Sequence, residues 1–208
     1  MSLMKAVEAH RVFAVIRAEE PGRAMECALA CIEGGIRLIE VTFSFDGAEG
    51  VIGELSKRGE AHIGAGTVLN VDLAKIAASR GAEFIVSPHT NKDIISFSKS
   101  KDLLVVSGAF TSNEIVQAWD LGADMVKVFP AAQAGGPAYI KAIKDPLPFI
   151  PIIATGGVNN SNLLEYIDMG ATAVGLWSSL FGSDGGASPE DIRENAKRAV
   201  ERVNWLRG

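Results

Sequence analysis

The stretch Asp124-Met125-Val126-Lys127-Val128-Phe129-Pro130 places one lysine in the middle of an otherwise apolar run. Alternation sets Met125, Lys127 and Phe129 on one face and Val126 and Val128 on the other, and apart from the lysine both faces are apolar. A strand covered on both sides has this pattern, and it belongs to parallel sheets flanked by helices. Lys127 is therefore expected to be enclosed. Enclosure favours the neutral form of an amine, and a neutral amine is a nucleophile able to form a Schiff base. Two other readings stay open: a structural ion pair with a carboxylate, or an ammonium that reaches solvent from a strand end.

Outward from this strand, the same unit of apolar strand and amphipathic helix recurs in both directions. Strands are expected at 12–17, 37–43, 61–66, 83–87, 103–107, 125–129, 150–155 and 172–176. Helical spacing follows them at 21–33, 48–58, 71–80, 92–99, 112–121, 137–143, 160–169 and 189–206. Eight such units specify an α/β fold that closes into a (β/α)8 TIM barrel, one domain over residues 1–208, with a doubly wound open sheet as the alternative. Gly34-Gly35, Gly81, Gly122 and Gly170 end the helices that lead into strands two, four, six and eight, where glycine suits a left-handed cap. This echo suggests units arranged in pairs.

Composition narrows the function. With 48% hydrophobic and 22% charged residues the chain is ordinary globular material, and no apolar run approaches the roughly 20 residues of a membrane span. A net charge of -5 argues against a nucleic-acid partner, while leaving room for a local positive pocket and a small anionic ligand. The only cysteines, Cys27 and Cys31, have no neighbouring histidine to complete a metal set and read as reduced, partly buried thiols. The start of the chain shows no charged and apolar leader, so the expected compartment is the cytoplasm.

In a barrel, chemistry gathers at the C-terminal ends of the strands. Those ends carry Arg17, Glu40 with Thr42, Gly66-Thr67, Ser87-Pro88-His89, Ser107-Gly108, Lys127 with Phe129, Thr155-Gly156-Gly157, and Gly175 to Ser179. Glu40 is the second anomaly, a carboxylate on the apolar strand Leu38-Ile39-Glu40-Val41-Thr42. It is either the ion-pair partner of Lys127 or a general base beside an amine nucleophile. Gly64-Ala65-Gly66-Thr67 allows close backbone approach. Thr155-Gly156-Gly157-Val158, ahead of Asn159, Asn160 and Ser161 opening a helix, suggests an amide cradle for an anion, with Gly175 and Ser178 beside it. His89 reads as a turn residue with a possible proton-shuttling role, His10 and His62 as structural, and Trp177 as core or as a constriction of the pocket.

Taken together, Val15-Ile16-Arg17-Ala18, Leu38 to Thr42, Ile63 to Val68, Phe84 to Pro88, Val126 to Ala131 and Thr155 to Val158 resemble the 2-keto-3-deoxy-6-phosphogluconate / 4-hydroxy-2-oxoglutarate (KDPG/KHG) aldolase family. The resemblance implies a class I aldolase without metal or cofactor, usually a homotrimer, that cleaves a 2-keto-4-hydroxy acid to pyruvate and an aldehyde. It implies Lys127 as the Schiff-base lysine and Glu40 as acid and base, with Arg17, Thr67, Pro88, Phe129 and Thr155 around the pyruvate half. Gly156, Gly157, Gly175 and Ser178 would take a phosphate. The leading substrate is 2-keto-3-deoxy-6-phosphogluconate, giving glyceraldehyde 3-phosphate; 4-hydroxy-2-oxoglutarate, giving glyoxylate, and the phosphogalactonate analogue are the others. Three positions depart from the pattern. Ser44 stands where some members carry arginine, Ser107-Gly108 replaces Pro-Gly, and Trp177 replaces the glycine directly before the serine of the last loop. Competing readings are a phosphate-binding barrel that runs epimerase or decarboxylase chemistry with Lys127 as acid and base, and a barrel that only binds a small acid.

Overall fold

The computed structural model describes residues 2–205. A short helix α1 (Leu3–His10) precedes β1 (Val12–Ile16), and α2 (Pro21–Glu33), β2 (Leu38–Thr42), α3 (Ala48–Arg58), β3 (His62–Gly66), α4 (Val71–Ser79) and β4 (Phe84–Ser87) follow. Next come α5 (Lys92–Ser100), β5 (Leu104–Ala109), α6 (Ser112–Asp120), β6 (Met125–Val128), α7 (Ala131–Ala134), α8 (Gly136–Lys144) and β7 (Ile152–Thr155). The chain ends with α9 (Leu163–Asp168), β8 (Ala173–Leu176), α10 (Ser178–Phe181) and α11 (Pro189–Trp205). Each strand pairs in parallel with the next, and β8 pairs with β1, so the eight strands form a closed barrel.

Local chemistry sets these elements. Pro21 occupies the first turn of α2, Asn70 Oδ1 accepts the Leu73 amide at 3.0 Å at the start of α4, and Thr111 with Glu114 forms a capping box on α6. The echoed glycines Gly35, Gly81, Gly122 and Gly170 all take positive φ, so each turns the chain from a helix into the next strand.

The strands divide the core into two shells. Ile39, Val41, Val126 and Val128 face the helices, whereas Phe13, Leu38, Phe84, Leu104, Met125 and Ile153 fill the barrel interior. Phe13 and Phe84 meet edge to face at 5.4 Å. A β carbon on Gly64 would lie 2.2 Å from the Phe84 ring, so a glycine on β3 makes room for that ring. Val7 of α1 joins this inner cluster, and α1 thereby packs against the barrel interior. Among the described residues no helix is long and apolar enough to cross a membrane.

The structure corrects the sequence reading in a few places. Helices α1, α7 and α10 were not expected; the last two have four residues each, too short for periodicity to register. Strand β7 begins at Ile152 rather than at 150. Helix α9 begins at Leu163 rather than at 160, because the Asn159 side chain accepts the amides of Ser161 at 2.8 Å and Asn162 at 3.2 Å in a turn of its own. The final residue of the helix expected over 189–206 lies outside the described residues.

Candidate active site

The two anomalous strand residues meet inside the barrel. Lys127 Nζ donates to Glu40 Oε1 at 3.2 Å, with Lys127 5% and Glu40 0% exposed. In the strand register Glu40 lies opposite Gly64 of β3 and Lys127 opposite Gly108 of β5. Gly66 makes the tightest approach: a β carbon there would lie 2.2 Å from Glu40 Oε1. The lysine also sits 5.7 Å from the centre of the Phe129 ring. Glu40 Oε2 is buried without a hydrogen-bond partner, so one carboxylate oxygen remains to be satisfied. A buried ion pair is a poor source of stability, because desolvating two charges offsets most of their attraction. Its presence in an apolar interior therefore points to chemistry.

Beside this pair, a cavity of about 110 Å³ is lined by Val15, Arg17, Phe129, Thr155, Gly156, Gly157, Val158, Gly175, Trp177 and Ser178. Seven of the residues read from the sequence as ligand-binding thus converge on one space. Thr155 Oγ1 is buried there with no partner, and a β carbon on Gly175 would lie 2.5 Å from it. Arg17, just past the end of β1, is exposed and makes no ion pair or hydrogen bond within the described residues. Thr67 holds φ at 54°, a left-handed conformation unusual for a β-branched residue, directly after the glycine that packs on Glu40. Strain of this kind tends to persist where function requires it.

Pro88 falls elsewhere. It lines a second cavity of about 270 Å³ with His89, Thr90, Gly108, Phe110 and Glu114, and Phe129 is the residue common to both spaces. His89 is built into a turn: Ser87 Oγ donates to its carbonyl at 2.7 Å and accepts its amide at 3.3 Å. Ser44 Oγ lies 2.7 Å from Thr42 Oγ1, which donates to the Ile16 carbonyl, so this position supports the strands. His62 pairs with Glu83 at 2.8 Å at the N-terminal ends of β3 and β4, away from the mouth. Cys27 and Cys31 are free and buried, and burial pushes both thiols up. Among the described residues no group of three or more His, Cys, Asp or Glu side chains is placed to hold a metal ion.

The amide cradle expected after strand seven is narrower than its sequence suggests. The Ser161 and Asn162 amides serve the Asn159 side chain, and the Asn159 amide donates to Asn162 Oδ1 at 2.8 Å. Helix α9 starts later than expected, and the helix start that shares the cavity with the glycines is that of α10 at Ser178. Gly156 and Gly157 hold positive φ and pack closely on Pro130 and Ala132.

Sequence reasoning missed what lies outside the inner cavity. A groove of about 770 Å³ is formed by Arg17, Ala18, Glu19, Glu20 and Arg23 after β1, by Trp177, and by Asp184, Gly185 and Gly186 before α11. No local motif marks it, because the two loops that build it are far apart in the chain.

Residues 3–194 match the KDPG and KHG aldolase family. The chain is 34% identical over 168 residues to the 2-dehydro-3-deoxy-phosphogluconate aldolase of Treponema pallidum, covering 80% of each protein. It is 33% identical over 199 residues to the 2-dehydro-3-deoxy-6-phosphogalactonate aldolase of Escherichia coli, covering 94% of each. Among solved structures, KDPG aldolase from Legionella pneumophila, with pyruvate captured at low pH as a covalent carbinolamine intermediate, superposes with a TM-score of 0.86. That match has 28% identity over 95% of this chain and 98% of the other.

Proposed function

The chain belongs to the KDPG and KHG aldolases and is therefore a lyase, and from that premise we propose that Lys127 is its Schiff-base nucleophile and Glu40 its acid and base. The observation that carries this reading is the enclosed pair itself, an amine and a carboxylate 3.2 Å apart beside a small cavity. The carbinolamine of the Legionella relative supports the same chemistry.

The proton inventory closes on these two residues. Glu40 takes a proton from Lys127, leaving a neutral amine that attacks the C2 ketone of a 2-keto-4-hydroxy acid. Glu40 returns the proton to the carbinolamine hydroxyl, which leaves as water and yields a cationic imine and a carboxylate. That carboxylate accepts the C4 hydroxyl proton while the C3–C4 bond breaks. The bond's electron pair moves into the imine to form an enamine, and the aldehyde departs. Glu40 then protonates C3, and hydrolysis frees pyruvate and the amine. Arg17, Thr67, Phe129 and Thr155 are proposed to hold the pyruvate half, with Arg17 as counter-charge for its carboxylate. Pro88, which shares a second cavity with Phe129, is proposed to line the same half.

Relatives named for phosphogluconate and phosphogalactonate support a six-carbon keto acid as substrate, 2-keto-3-deoxy-6-phosphogluconate being the candidate the sequence resemblance puts first. The homotrimer implied by that resemblance belongs to the same proposal; exposed Phe110, Val116 and Phe149 offer apolar surface for it, and mass by light scattering tests it. The decisive test of the chemistry is borohydride reduction with pyruvate, followed by peptide mass spectrometry. A pyruvate-sized adduct on Lys127, absent from Lys127→Ala, is the expected result. Folded wild-type protein without an adduct would overturn the Schiff-base assignment.

A further inference from the structure

The groove outside the inner cavity has two walls that are far apart in the chain: the loop after β1 that carries Arg17, and the loop between α10 and α11 that carries Asp184, Gly185 and Gly186. Groove and cavity share Arg17 and Trp177. A substrate whose pyruvate half is at Lys127 therefore extends outward between these two walls. Whatever holds the walls at their separation bears on how well that substrate is bound.

The loop between α10 and α11 has little to fix it from within. Gly182 and Gly185 hold positive φ, a β carbon on Gly185 would meet nothing within 4 Å, and Ser183, Asp184 and Gly186 are exposed. Its own bonds are short-range: the Gly186 amide donates to Asp184 Oδ1 at 3.0 Å, the Gly185 amide to the Gly182 carbonyl at 3.3 Å, and the Ala187 amide to the Phe181 carbonyl at 2.9 Å. A glycine-rich segment with no fully buried side chain takes many conformations unless a group outside it selects one. Arg23, in the first turn of α2, is such a group. Its Nη2 donates to the far wall twice, to the Gly185 carbonyl at 2.9 Å and to the Ala187 carbonyl, while Nη1 donates to Glu26 one turn along the same helix. The planar guanidinium thus holds three acceptors at fixed angles to one another.

We propose that Arg23 is a positioning residue for the aldolase reaction: it staples loop 182–188 to the start of α2 and so fixes the width of the passage outside Arg17 and Trp177, where the part of the substrate beyond C4 lies. This role rests on Lys127 taking the pyruvate half. Arg23 lines the outer groove and not the inner cavity, so its loss leaves imine chemistry intact. A freed loop holds the substrate-ready position for only part of the time, and apparent affinity falls by that fraction; an occupancy of about one tenth gives a rise in KM of about tenfold.

The test compares wild type, Arg23→Met and Arg23→Lys in cleavage of 2-keto-3-deoxy-6-phosphogluconate or its galactonate analogue, whichever wild type cleaves faster, and in deuterium exchange into the methyl group of pyruvate. Arg23→Met keeps an apolar stem without the donors and should raise KM about tenfold, with kcat and pyruvate exchange within about twofold of wild type. Arg23→Lys keeps the charge and part of the bonding, should raise KM about threefold, and gives the reading should the first variant not fold. Backbone hydrogen exchange, followed by mass spectrometry, should quicken in peptides covering 182–188 in both variants. KM unmoved in every folded variant overturns the proposal, as does loop exchange that stays at the wild-type rate. A fall of kcat and pyruvate exchange alongside the rise in KM also overturns it, because the damage would then lie in the barrel and not in the passage. Wild type that exchanges deuterium into pyruvate but cleaves neither acid overturns the substrate assignment and the passage with it, whereas wild type without exchange overturns the Lys127 reading and this one together.

Discussion

Replacing Gly66 with alanine would drive a methyl group into the acid and base of the proposed mechanism. The added carbon would lie 2.2 Å from Glu40 Oε1, 2.6 Å from Cγ and 2.7 Å from Cδ. Carbon contacts settle near 3.5–4.0 Å, so the carboxylate must retreat by roughly 1 Å. Glu40 is 0% exposed, which leaves it no open side to retreat into. Overpacking a core position in this way costs about 1–3 kcal/mol, and for a domain of this size that lowers Tm by about 2–12 °C. The catalytic loss should be larger in proportion, because a misplacement of about 1 Å costs on the order of 10²-fold in rate.

Gly64→Ala is the matched comparison. Its methyl would also arrive at 2.2 Å, but against the Phe84 ring and away from the carboxylate. Scanning calorimetry should find the two variants similarly destabilised. Steady-state cleavage, read by coupling pyruvate to lactate dehydrogenase, should find turnover reduced about 10²-fold in Gly66→Ala and by less than about fivefold in Gly64→Ala. Gly66→Ala turning over within about threefold of wild type would refute the reasoning, because Glu40 would then be free to act from a displaced position.

Glu40→Gln should slow turnover about 10²- to 10⁴-fold in the same assay, while borohydride still captures pyruvate on Lys127 after long incubation. Lys127→Met leaves Glu40 as an unpaired buried carboxylate and should lose about 3–5 kcal/mol by urea titration, whereas Lys127→Met with Glu40→Leu should recover most of that loss without recovering activity. Burial holds the Cys31 thiol well above 9.0, so as pH rises through about 9 the unfolded chain releases that proton before the folded one. Stability should therefore be intact below that pH and fall above it by up to about 1.4 kcal/mol per pH unit, and Cys31→Ala should flatten the slope of urea midpoints taken between about pH 8 and pH 10.

Much of the barrel was legible because its signals are local. A strand buried on both faces shows every polar residue as an interruption, and Lys127 and Glu40 are such interruptions, so their meeting could be anticipated before any distance was known. The helix starts at Asn70, Asn91 and Thr111 and the turns at Gly35 and Gly170 likewise depend on neighbours within four or five residues. The loop after β7 shows where local signals mislead. Asn159-Asn160-Ser161 has the composition of a helix start, yet the Asn159 side chain serves a turn, and the helix waits for Leu163. The groove was illegible for a different reason. Glu19 and Glu20 follow β1, Asp184 follows α10, and only barrel closure through the pairing of β8 with β1 brings the two loops together.

Closure also explains how the interior tolerates an expensive pair of charges. In an open sheet the inward face of one strand meets a helix, whose side chains can shift to cover a polar group with water. Here Glu40 and Lys127 lie on β2 and β6, on opposite sides of a ring whose lower layer is filled by Phe13, Phe84 and Met125. Neither charge can turn toward solvent on that side, and each has the other as its hydrogen-bond partner. The geometry that makes the pair a poor contributor to stability is the same geometry that keeps the amine beside a base and away from bulk water. In the proposed mechanism, a substrate carbonyl entering from the C-terminal mouth meets a lysine whose proton has one acceptor 3.2 Å away, and the rigidity of the closed ring would hold that acceptor in place from imine formation through to protonation of C3.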